Sequence, residues 1–475
     1  MPIIIPANSA VAGGFDVDNS CRFDGSSSKL VKSQSAGNRQ RWTYSVWLKR
    51  CAITSTTTTF FASSGGGNVY SYLGIQSDKI RWLDYDSGNN SNLITTAVFR
   101  DPSAWYHIVF AFNSNLGSGE TDKEERTKLY INGVRVTSFG TAAYAGHNQD
   151  SGVNVNSANF ILSSNQDQSS GSMWNGYMAE AHFIDGTAYQ ADSFGEFDSD
   201  SGVWKPIEVS GLTYGTNGYY LDFKDSANLG NDANGGTDFT ESGLAAIDQT
   251  QDTCTNNFPT LNPLDAFLGD STFSEGNLRF NTETASNVTW ATSTIGMTSG
   301  KFYFEAFLQT AADHNYIGIS DRPCPSLSTY FGAGAYDYGY KSSNGQKKNN
   351  GNESSYGNTY TTNDTVMCAV DLDNLKVYFG KNGTWQNSGN PESGSTGTGA
   401  AFTITTPSST NNGQYFFCVA DGTGSNNSRW ISNFGNPATA ISSGNADGNG
   451  YGNFEYAVPS GYLSLNTKNL SEANS

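Results

Sequence analysis

The sequence predicts an all-β protein made of two tandem antiparallel β-sandwich domains of the jelly-roll type, joined by an ordered connector. Three observations support this fold class. Short runs of aromatic and β-branched residues alternate with turns rich in Gly, Asn and Ser. No stretch of ten or more residues keeps the helical period of 3.6. The length of 475 residues corresponds to two or three domains, at about 150 residues for each.

The clearest predicted element is a hairpin in residues 128–136, KLYINGVRV. Its apolar residues alternate and are split by Asn132-Gly133, a dipeptide that tolerates the positive φ angles of a two-residue turn. Other runs of the same composition predict further strands, at residues 42–50, 105–113, 159–164, 176–185, 301–309, 316–320 and 414–420.

A second hairpin phrase occurs in residues 366–385, VMCAVDLDNLKVYFGKNGTW. Apolar and polar positions largely alternate, and the turn formers are Asp373-Asn374 and Asn382-Gly383. The segment therefore predicts a three-stranded meander whose last turn repeats the Asn-Gly dipeptide of the first hairpin.

The strand runs fall into two sets, which define the predicted domains. The first set ends near Lys205 and the second begins near Phe273, and the run GYYLDF lies between them among turns rich in Gly, Asn and Asp. We therefore predict an N-terminal arm, a first sandwich, an ordered connector, a second sandwich and a C-terminal tail, at residues 1–14, 15–205, 206–272, 273–435 and 436–475.

Composition excludes several classes of function. A net charge of −18 argues against binding to nucleic acid or to an anionic membrane, because that affinity depends on Lys and Arg. The N-terminal MPIIIPANSAVAGGF has neither the basic flank nor the apolar stretch of a signal peptide, and no later run is long enough to span a membrane. We expect a soluble protein without an ordinary secretion signal.

Cysteines are too sparse for a disulfide framework. Their even number permits pairing, but six in 475 residues, with no C-x-x-C pair, favour buried free thiols. The six are Cys21, Cys51, Cys254, Cys324, Cys368 and Cys418.

The first set of strands resembles the concanavalin A-like, laminin G-like jelly-roll family. The shared run is WTYSVWLKR, WYHIVFAFN, KLYINGVRV, NFILSS and GYMAEAHFIDG, in this order, over roughly residues 15–205. That family includes lectins, adhesion modules, glycanases and inert spacers, so the resemblance implies the fold and leaves the function open.

The second set resembles the SPRY domain over roughly residues 273–435. The shared features are GKFYFEAFL, YIGISD and the meander with its DLD and Asn-Gly turns. Both families are two-sheet sandwiches, which accounts for two similar Asn-Gly hairpins in one chain.

The pairing of these domains, with the phrases LDFKDSANLGND, TNNFPTLNPLD and PSGYLSLNTKNL, resembles virion proteins of tailed bacteriophages. The resemblance implies a virion protein assembled in the host cytoplasm, a tail fibre or tail-associated adhesin that contacts host surface carbohydrate or other virion proteins. By analogy it forms a homo-oligomer, with a trimer as the usual state of fibres. The alternative is a head decoration or spike protein with a purely architectural role.

Three tyrosines are candidate ligand contacts. Tyr336, Tyr338 and Tyr340 alternate within the Gly-rich residues 331–346, where exposed rings would stack on sugar faces or anchor a protein partner. If the segment is a strand, alternation puts them on one face, and they belong to the core instead.

An acidic motif offers the only candidate catalytic site. Glu196, Asp198 and Asp200 in EFDSD alternate as the acid and nucleophile of concanavalin-fold glycanases do, although Asp200 lacks the reach of Glu. A solvated acidic turn is the favoured alternative, so we expect no enzyme and keep a glycan depolymerase as the weaker hypothesis.

No cofactor or metal site is predicted. Laminin G-like domains sometimes hold structural calcium, and Asp16, Asp18, Asp198 and Asp200 are candidate ligands, but no EF-hand spacing selects them and turn residues explain them equally. The four histidines have no metal-ligand spacing; the two that lie in predicted strands, His107 and His182, are expected to pack or to form local hydrogen bonds.

Overall fold

The computed structural model describes residues 14–264, 271–282, 288–326, 328–422 and 427–473. Strands account for 40% of the chain and helices for 7%, which confirms the all-β prediction. The chain divides into two compact units, of which the first ends at Asn256 and the second begins at Asn257. Within the described residues, no helix combines the length and the apolar character needed to cross a lipid bilayer.

The first unit contains eighteen strands in the part of the chain that the structure describes. They are β1 (Ser20–Asp24), β2 (Lys29–Ser33), β3 (Arg41–Arg50), β4 (Thr58–Ser64), β5 (Val69–Gln76), β6 (Lys79–Asp86), β7 (Asn89–Thr95), β8 (Trp105–Asn113), β9 (Thr127–Ile131), β10 (Val134–Arg135), β11 (Phe139–Ala143), β12 (Asn159–Leu162), β13 (Asn175–Asp185), β14 (Gly195–Phe197), β15 (Trp204–Pro206), β16 (Tyr219–Leu221), β17 (Thr240–Ser242) and β18 (Gln249–Thr250). One short helix, α1 (Lys123–Arg126), precedes β9.

These strands form two antiparallel sheets and one separate hairpin. Sheet A has the order β10-β9-β8-β3-β13-β1-β18, with β16 also paired to β13. Sheet B has the order β11-β7-β6-β5-β4-β12-β2-β17. Strands β14 and β15 pair only with each other.

Aromatic side chains fill the space between sheets A and B. Trp42 of β3 packs against Phe110 of its own sheet and against Trp82 and Phe61 of sheet B, with 5.5 Å between the Trp42 and Trp82 ring centroids. All four rings are buried. Full burial of such a side chain stabilises the fold by about 1.5–3 kcal/mol, so this cluster is a main source of stability for the first unit.

The outer face of sheet A is buried as well. Successive side chains of a strand point to opposite faces, and β13 is buried at all 11 of its residues. Residues 186–214, here called the first covering segment, pack Phe194 and Trp204 against Trp47 and Tyr177 of the sheet. This second apolar layer explains why the central strands of sheet A lack a polar face.

The residues predicted as a connector extend the sheets of the first unit. Strand β16 pairs with β13, β17 with β2 and β18 with β1. Residues 206–256 of the predicted connector 206–272 are thus part of the first unit. Behind β18, Asp252 accepts a 2.7 Å hydrogen bond from the Lys49 ammonium, and both side chains are fully buried.

The second unit contains fifteen strands among the described residues. They are β19 (Ser271–Ser274), β20 (Arg279–Thr282), β21 (Thr289–Thr292), β22 (Lys301–Thr310), β23 (Asn315–Ser320), β24 (Tyr338–Lys341), β25 (Gln346–Asn349), β26 (Asn352–Ser355), β27 (Asp364–Asp371), β28 (Lys376–Lys381), β29 (Thr384–Trp385), β30 (Phe402–Thr403), β31 (Phe416–Asp421), β32 (Arg429–Asn433) and β33 (Leu463–Ser464). A terminal helix, α2 (Thr467–Ala473), follows.

Two sheets form this unit too. Sheet C has the order β19-β20-β32-β22-β27-β28-β29, with β30 paired to β28 and β33 paired in parallel to β22. Sheet D has the order β21-β31-β23-β24-β25-β26. The sheets share an aromatic core in which Phe304 of β22 stacks on Phe417 of β31 at 5.0 Å.

A covering segment buries the outer face of sheet C. Residues 436–464, the second covering segment, pack Phe454 and Tyr462 against Tyr303 and Tyr378 of the sheet. Most of the predicted C-terminal tail, 436–475, is therefore built into the second unit, and β33 is one of its contacts with sheet C.

Both predicted hairpins are confirmed. Strands β9 and β10 pair with Val134 opposite Ile131, and β27, β28 and β29 form the meander. The φ angles at the Asn-Gly turns are 47° and 77° in the first hairpin and 48° and 80° in the second. The six cysteines are all buried and free, as their sparse spacing predicts.

Candidate functional site

A groove of about 360 Å³ opens in the first unit between the β9–β10 hairpin and the first covering segment. Its lining combines three aromatic side chains with three polar ones: Tyr130, Phe197 and Trp204, and Gln190, Asp192 and Glu196. A concave surface with apolar walls and a few polar groups is the usual form of a ligand site.

Phe197 and Trp204 form the aromatic wall of the groove. The two residues lie opposite each other in the β14–β15 ladder, and their rings meet edge to face with centroids 4.9 Å apart. Trp204 is 6% exposed, whereas Phe197 is 53% exposed. The phenyl ring is therefore presented to solvent on a rigid support.

Trp204 is fixed from behind by a buried histidine. The indole Nε1–H donates a 2.9 Å hydrogen bond to Nδ1 of His107, and Nε2 of the same ring lies 2.9 Å from the hydroxyl of Ser45. Because Nδ1 accepts, the proton of neutral His107 is on Nε2 and is donated to Ser45. Burial, with a smaller contribution from His182, lowers the pKa of His107 to about 3, so the acceptor persists at neutral pH.

The Asn-Gly turn lets the covering segment approach this closely. Gly133 has a φ of 77°, and a Cβ at this position would lie 2.2 Å from the Trp204 ring. Glycine thus meets two requirements, a left-handed backbone and space for the indole.

The polar side of the groove has both engaged and available groups. The hydroxyl of Tyr130 lies 3.1 Å from Oε1 of Gln190 and donates to it. Glu196 is 3.3 Å from the Lys205 ammonium. The exposed carboxylate of Asp192 makes no hydrogen bond or ion pair with the described residues, which leaves it available to a ligand.

Family comparisons agree with the two sandwich units. Residues 23–192 match the concanavalin A-like lectin/glucanases superfamily, and residues 301–420 match the SPRY domain. The chain carries a concanavalin A-like domain and a SPRY domain. The first match lies inside the first unit and ends at the groove, and the second lies inside the second unit.

Solved structures with similar folds share little sequence with this chain. The human HERC1 SPRY domain is 17% identical, over 36% of this chain and 96% of that one, with a TM-score of 0.28. A heptameric pentraxin from Limulus polyphemus is 15% identical, over 37% and 80%, also at 0.28. A proposed carbohydrate binding protein from Bacteroides ovatus is 16% identical, over 48% and 58%, at 0.32. The comparison with curated proteins gave no match.

The acidic motif of the concanavalin A-like unit forms a turn beside the groove. Glu196 lies on β14, whereas Asp198 and Asp200 lie in the turn that follows. Asp198 accepts hydrogen bonds from the backbone N–H and hydroxyl of Ser201, at 2.9 and 2.8 Å, and an ion pair from Lys205 at 3.3 Å. These bonds, the backbone N–H of Ser201 first, lower the pKa of Asp198 to about 2.

The candidate tyrosines lie in the SPRY domain and do not form a surface site. Tyr338 and Tyr340 of β24 are 4% and 0% exposed, and Tyr336 is partly buried against the same core. The rings of Tyr340 and Phe379 stack with centroids 5.5 Å apart. One alternative predicted from the sequence was that these tyrosines share one face of a strand and belong to the core. Tyr338 and Tyr340 are arranged in this way.

The candidate calcium ligands do not converge. Asp16 and Asp18 are exposed near the start of the first unit, while Asp198 is engaged in its own turn. Across the ranges that the structure describes, no three His, Cys, Asp or Glu side chains cluster as they would around a metal ion.

Sequence reasoning missed the aromatic wall. Phe197 and Trp204 flank the acidic turn in EFDSDSGVWK, and this flanking pair was the available signal for a short hairpin with two facing rings. The contacts of Trp204 with His107 and Gly133 connect distant parts of the chain, which no local pattern reveals.

Proposed function

We propose that this protein binds carbohydrate without catalysis, and that its sugar site is the groove beside Trp204. The observation that carries the proposal is the half-exposed ring of Phe197, which is supported edge-on by a buried tryptophan and lines the same groove as the unengaged carboxylate of Asp192. A sugar offers an apolar C–H face to an aromatic ring and hydroxyls to amide and carboxylate oxygens. Gln190 and Asp192 supply such oxygens in the same groove.

Binding is favoured over glycan hydrolysis by the chemistry of the acidic turn. A glycosidase needs one carboxylic acid whose pKa is raised, so that it is protonated when it meets the leaving oxygen. The pKa of Asp198 is shifted the opposite way, to about 2. Glu196 is held by the Lys205 ammonium at 3.3 Å, as a salt-bridge partner and not as an unpaired acid.

In this proposal the protein acts in a tailed-bacteriophage virion as a tail fibre or tail-associated adhesin. The support is the resemblance of its domain pairing and connecting phrases to such virion proteins, together with a match to a family that includes lectins. The partners are host surface carbohydrate, other virion proteins and further copies of the chain. The net charge of −18 disfavours nucleic acid and anionic lipid as partners.

The sugar site is tested by screening the full chain against a glycan array and by titrating the retained glycans calorimetrically. We expect Phe197→Ala to weaken binding about tenfold, equivalent to about 1.4 kcal/mol. Tyr330→Ala is the matched control, because Tyr330 is an aromatic residue of the second unit with 44% exposure. Retention of no glycan by the unmodified chain, or equal losses in both variants, would contradict the proposal.

The location is tested by immunogold electron microscopy of purified particles, with an antibody raised against residues 273–435. Label at the tail or its fibres supports the adhesin role. Label over the head supports the architectural alternative and contradicts the adhesin role, and unlabelled particles contradict a place in the virion.

A further inference from the structure

The groove contains carboxylates and no cation. Among its lining residues, Asp192 and Glu196 carry charge, and none is Lys or Arg. Asp192 lies in a short 3-10 turn of the first covering segment, where its side chain is exposed. A charged ligand in this groove therefore meets negative groups first.

The cations beside the groove are already paired with carboxylates. Lys205, next to the aromatic wall, lies 3.3 Å from both Glu196 and Asp198. Arg135, on the hairpin that borders the groove, forms a 2.6 Å pair with Glu125. An incoming anion would have to share these cations with their carboxylates, whereas an incoming cation would meet the unengaged carboxylate of Asp192.

The same hairpin carries a second cation that is also paired with a carboxylate. Lys128 of β9 also pairs with Glu125, at 2.8 Å. Recognition of a carboxylate, sulfate or phosphate group usually relies on a free Arg or Lys fork. The groove and its border offer none among the described residues, while Asp192 offers an unengaged acceptor.

We propose that the groove selects glycans without anionic groups, favours sugars that carry an ammonium group, and uses Asp192 to contact that group or a hydroxyl. This inference rests on the proposed function and adds the chemical class of the sugar. Uronic acids, sialic acids and sulfated or phosphorylated sugars are excluded by repulsion from Asp192 and Glu196. Neutral sugars are bound through the aromatic wall and hydroxyl contacts alone.

The test compares three oligosaccharide probes of similar length with the full chain: chitosan oligomers (ammonium-bearing), chitin oligomers (uncharged) and alginate oligomers (anionic). We expect chitosan to bind about tenfold more tightly than chitin, and alginate to show no binding. Raising the salt concentration should reduce the chitosan advantage and leave chitin binding unchanged, because salt screens exposed charges.

A matched pair of variants assigns the preference to Asp192. Asp192→Asn should bring the affinity for chitosan down about tenfold, to that for chitin. Asp86→Asn is the control, since Asp86 is an exposed carboxylate on β6 of the opposite sheet. The control should retain the full preference.

The outcomes separate this inference from the proposed function. Alginate binding as tight as chitin binding, or an unchanged preference in Asp192→Asn, would overturn the selectivity and leave a sugar site in place. Failure of chitosan, chitin and alginate alike, together with an empty glycan array, would overturn the proposed function and the selectivity with it.

Discussion

The two Asn-Gly hairpins have nearly the same local structure in different domains. In the first unit, the side-chain oxygen of Asn132 accepts a 2.8 Å hydrogen bond from the backbone N–H of His107, and its own N–H donates to the carbonyl of His107 at 2.9 Å. In the second unit, Asn382 makes the same two bonds with Thr365, both at 2.9 Å. The repeated phrase thus specifies one turn with one anchoring pattern.

The hairpins differ in what covers their glycines. Above Gly133 lies Trp204, which is buried and bonded to His107, whereas above Gly383 lies Tyr456, which is only half-buried. The same turn is therefore a rigid wall of a groove in one unit and a looser contact in the other. The covering segment, and not the hairpin, therefore decides which of the two turns borders a groove.

The two units also hold a buried carboxylate in different ways. Near the end of the first unit, Asp252 is held by the ammonium of Lys49. In the second unit, Glu305 forms no ion pair with the described residues. It accepts hydrogen bonds from the hydroxyl of Tyr303 and from the backbone N–H groups of Glu455 and Tyr456, at 2.7, 3.0 and 2.8 Å. One device is a charge pair and the other is a carboxylate bound by neutral donors.

The largest effect is expected from breaking the charge pair. Lys49→Ala leaves Asp252 buried without its ammonium partner, and the first unit should lose about 3–5 kcal/mol of unfolding free energy. Hydrogen exchange with mass spectrometry, resolved by peptide along a urea series, measures each unit separately. The double variant Lys49→Met, Asp252→Leu should recover much of the loss, and a loss below about 1 kcal/mol in Lys49→Ala would contradict the role of the pair.

The second prediction concerns the pH dependence of the first unit. Burial lowers the pKa of His107 from its ordinary value of 6.5 to about 3 in the folded chain, so the unfolded state takes up the proton first as pH falls. As pH falls below 6.5, protonation of His107 in the unfolded state should therefore lower the free energy of unfolding of the first unit by about 1.4 kcal/mol per pH unit.

His107→Gln removes this contribution. The difference between the pH profiles of the two proteins isolates it, because the other titrating groups cancel. Parallel profiles between pH 7 and pH 4.5 would show that the folded unit does hold a charged His107.

The third prediction has the opposite sign and concerns the second unit. Burial raises the pKa of Glu305 from its ordinary value of 4.5 to about 7, although hydrogen bonds from Tyr303, Tyr456 and Glu455 oppose the rise. The folded state then holds the proton more tightly, so this contribution is fully present below pH 4.5 and is lost as pH rises to about 7. The total contribution of Glu305 to the free energy of unfolding of the second unit is on the order of 3 kcal/mol.

Glu305→Gln should flatten that part of the profile, measured by hydrogen exchange in peptides from the second covering segment. The unmodified first unit serves as the internal reference. A second unit that becomes less stable on acidification from pH 7 to pH 5, to the same extent in both proteins, would refute the assignment.

The smallest predicted effect is the difference in stability loss between alanine substitutions at the two turn glycines. Alanine in the left-handed region costs about 1–2 kcal/mol, and this applies to Gly133 and to Gly383. Gly133→Ala carries an added overpacking cost of about 1–3 kcal/mol, because Trp204 is too firmly held to move aside. Thermal unfolding should show the larger loss in Gly133→Ala, and glycan binding should fall in that variant alone.

Local patterns were sufficient for the hairpins and for the longest strands, β3, β13 and β22. Alternation and the Asn-Gly dipeptide specify β9–β10 and β27–β29 without any tertiary information. The same alternation left Tyr338 and Tyr340 ambiguous, because a period of two shows that residues share a face and not which face is buried. The predicted strands did not include β4–β7, of seven or eight residues each, or β18, whose two residues pair with a sheet that must already be present.

The groove could not be predicted from local sequence patterns, because residues far apart in the chain form it. It requires Trp204 to meet His107 and Gly133, and Gln190 to meet Tyr130, all across long separations in the chain. Only Glu196 among the predicted candidates lines it. Its immediate neighbour Phe197 carries the stronger chemical signal, an exposed phenyl ring.

The buried thiols allow the opening of each unit to be measured by thiol labelling. The first unit holds Cys21, Cys51 and Cys254, and the second holds the other three. Burial raises the pKa of Cys51 to about 12 and that of Cys254 well above its usual value, so neither reacts while its surroundings stay closed. A maleimide pulse followed by peptide mapping would therefore measure how fast each unit opens, without an engineered cysteine.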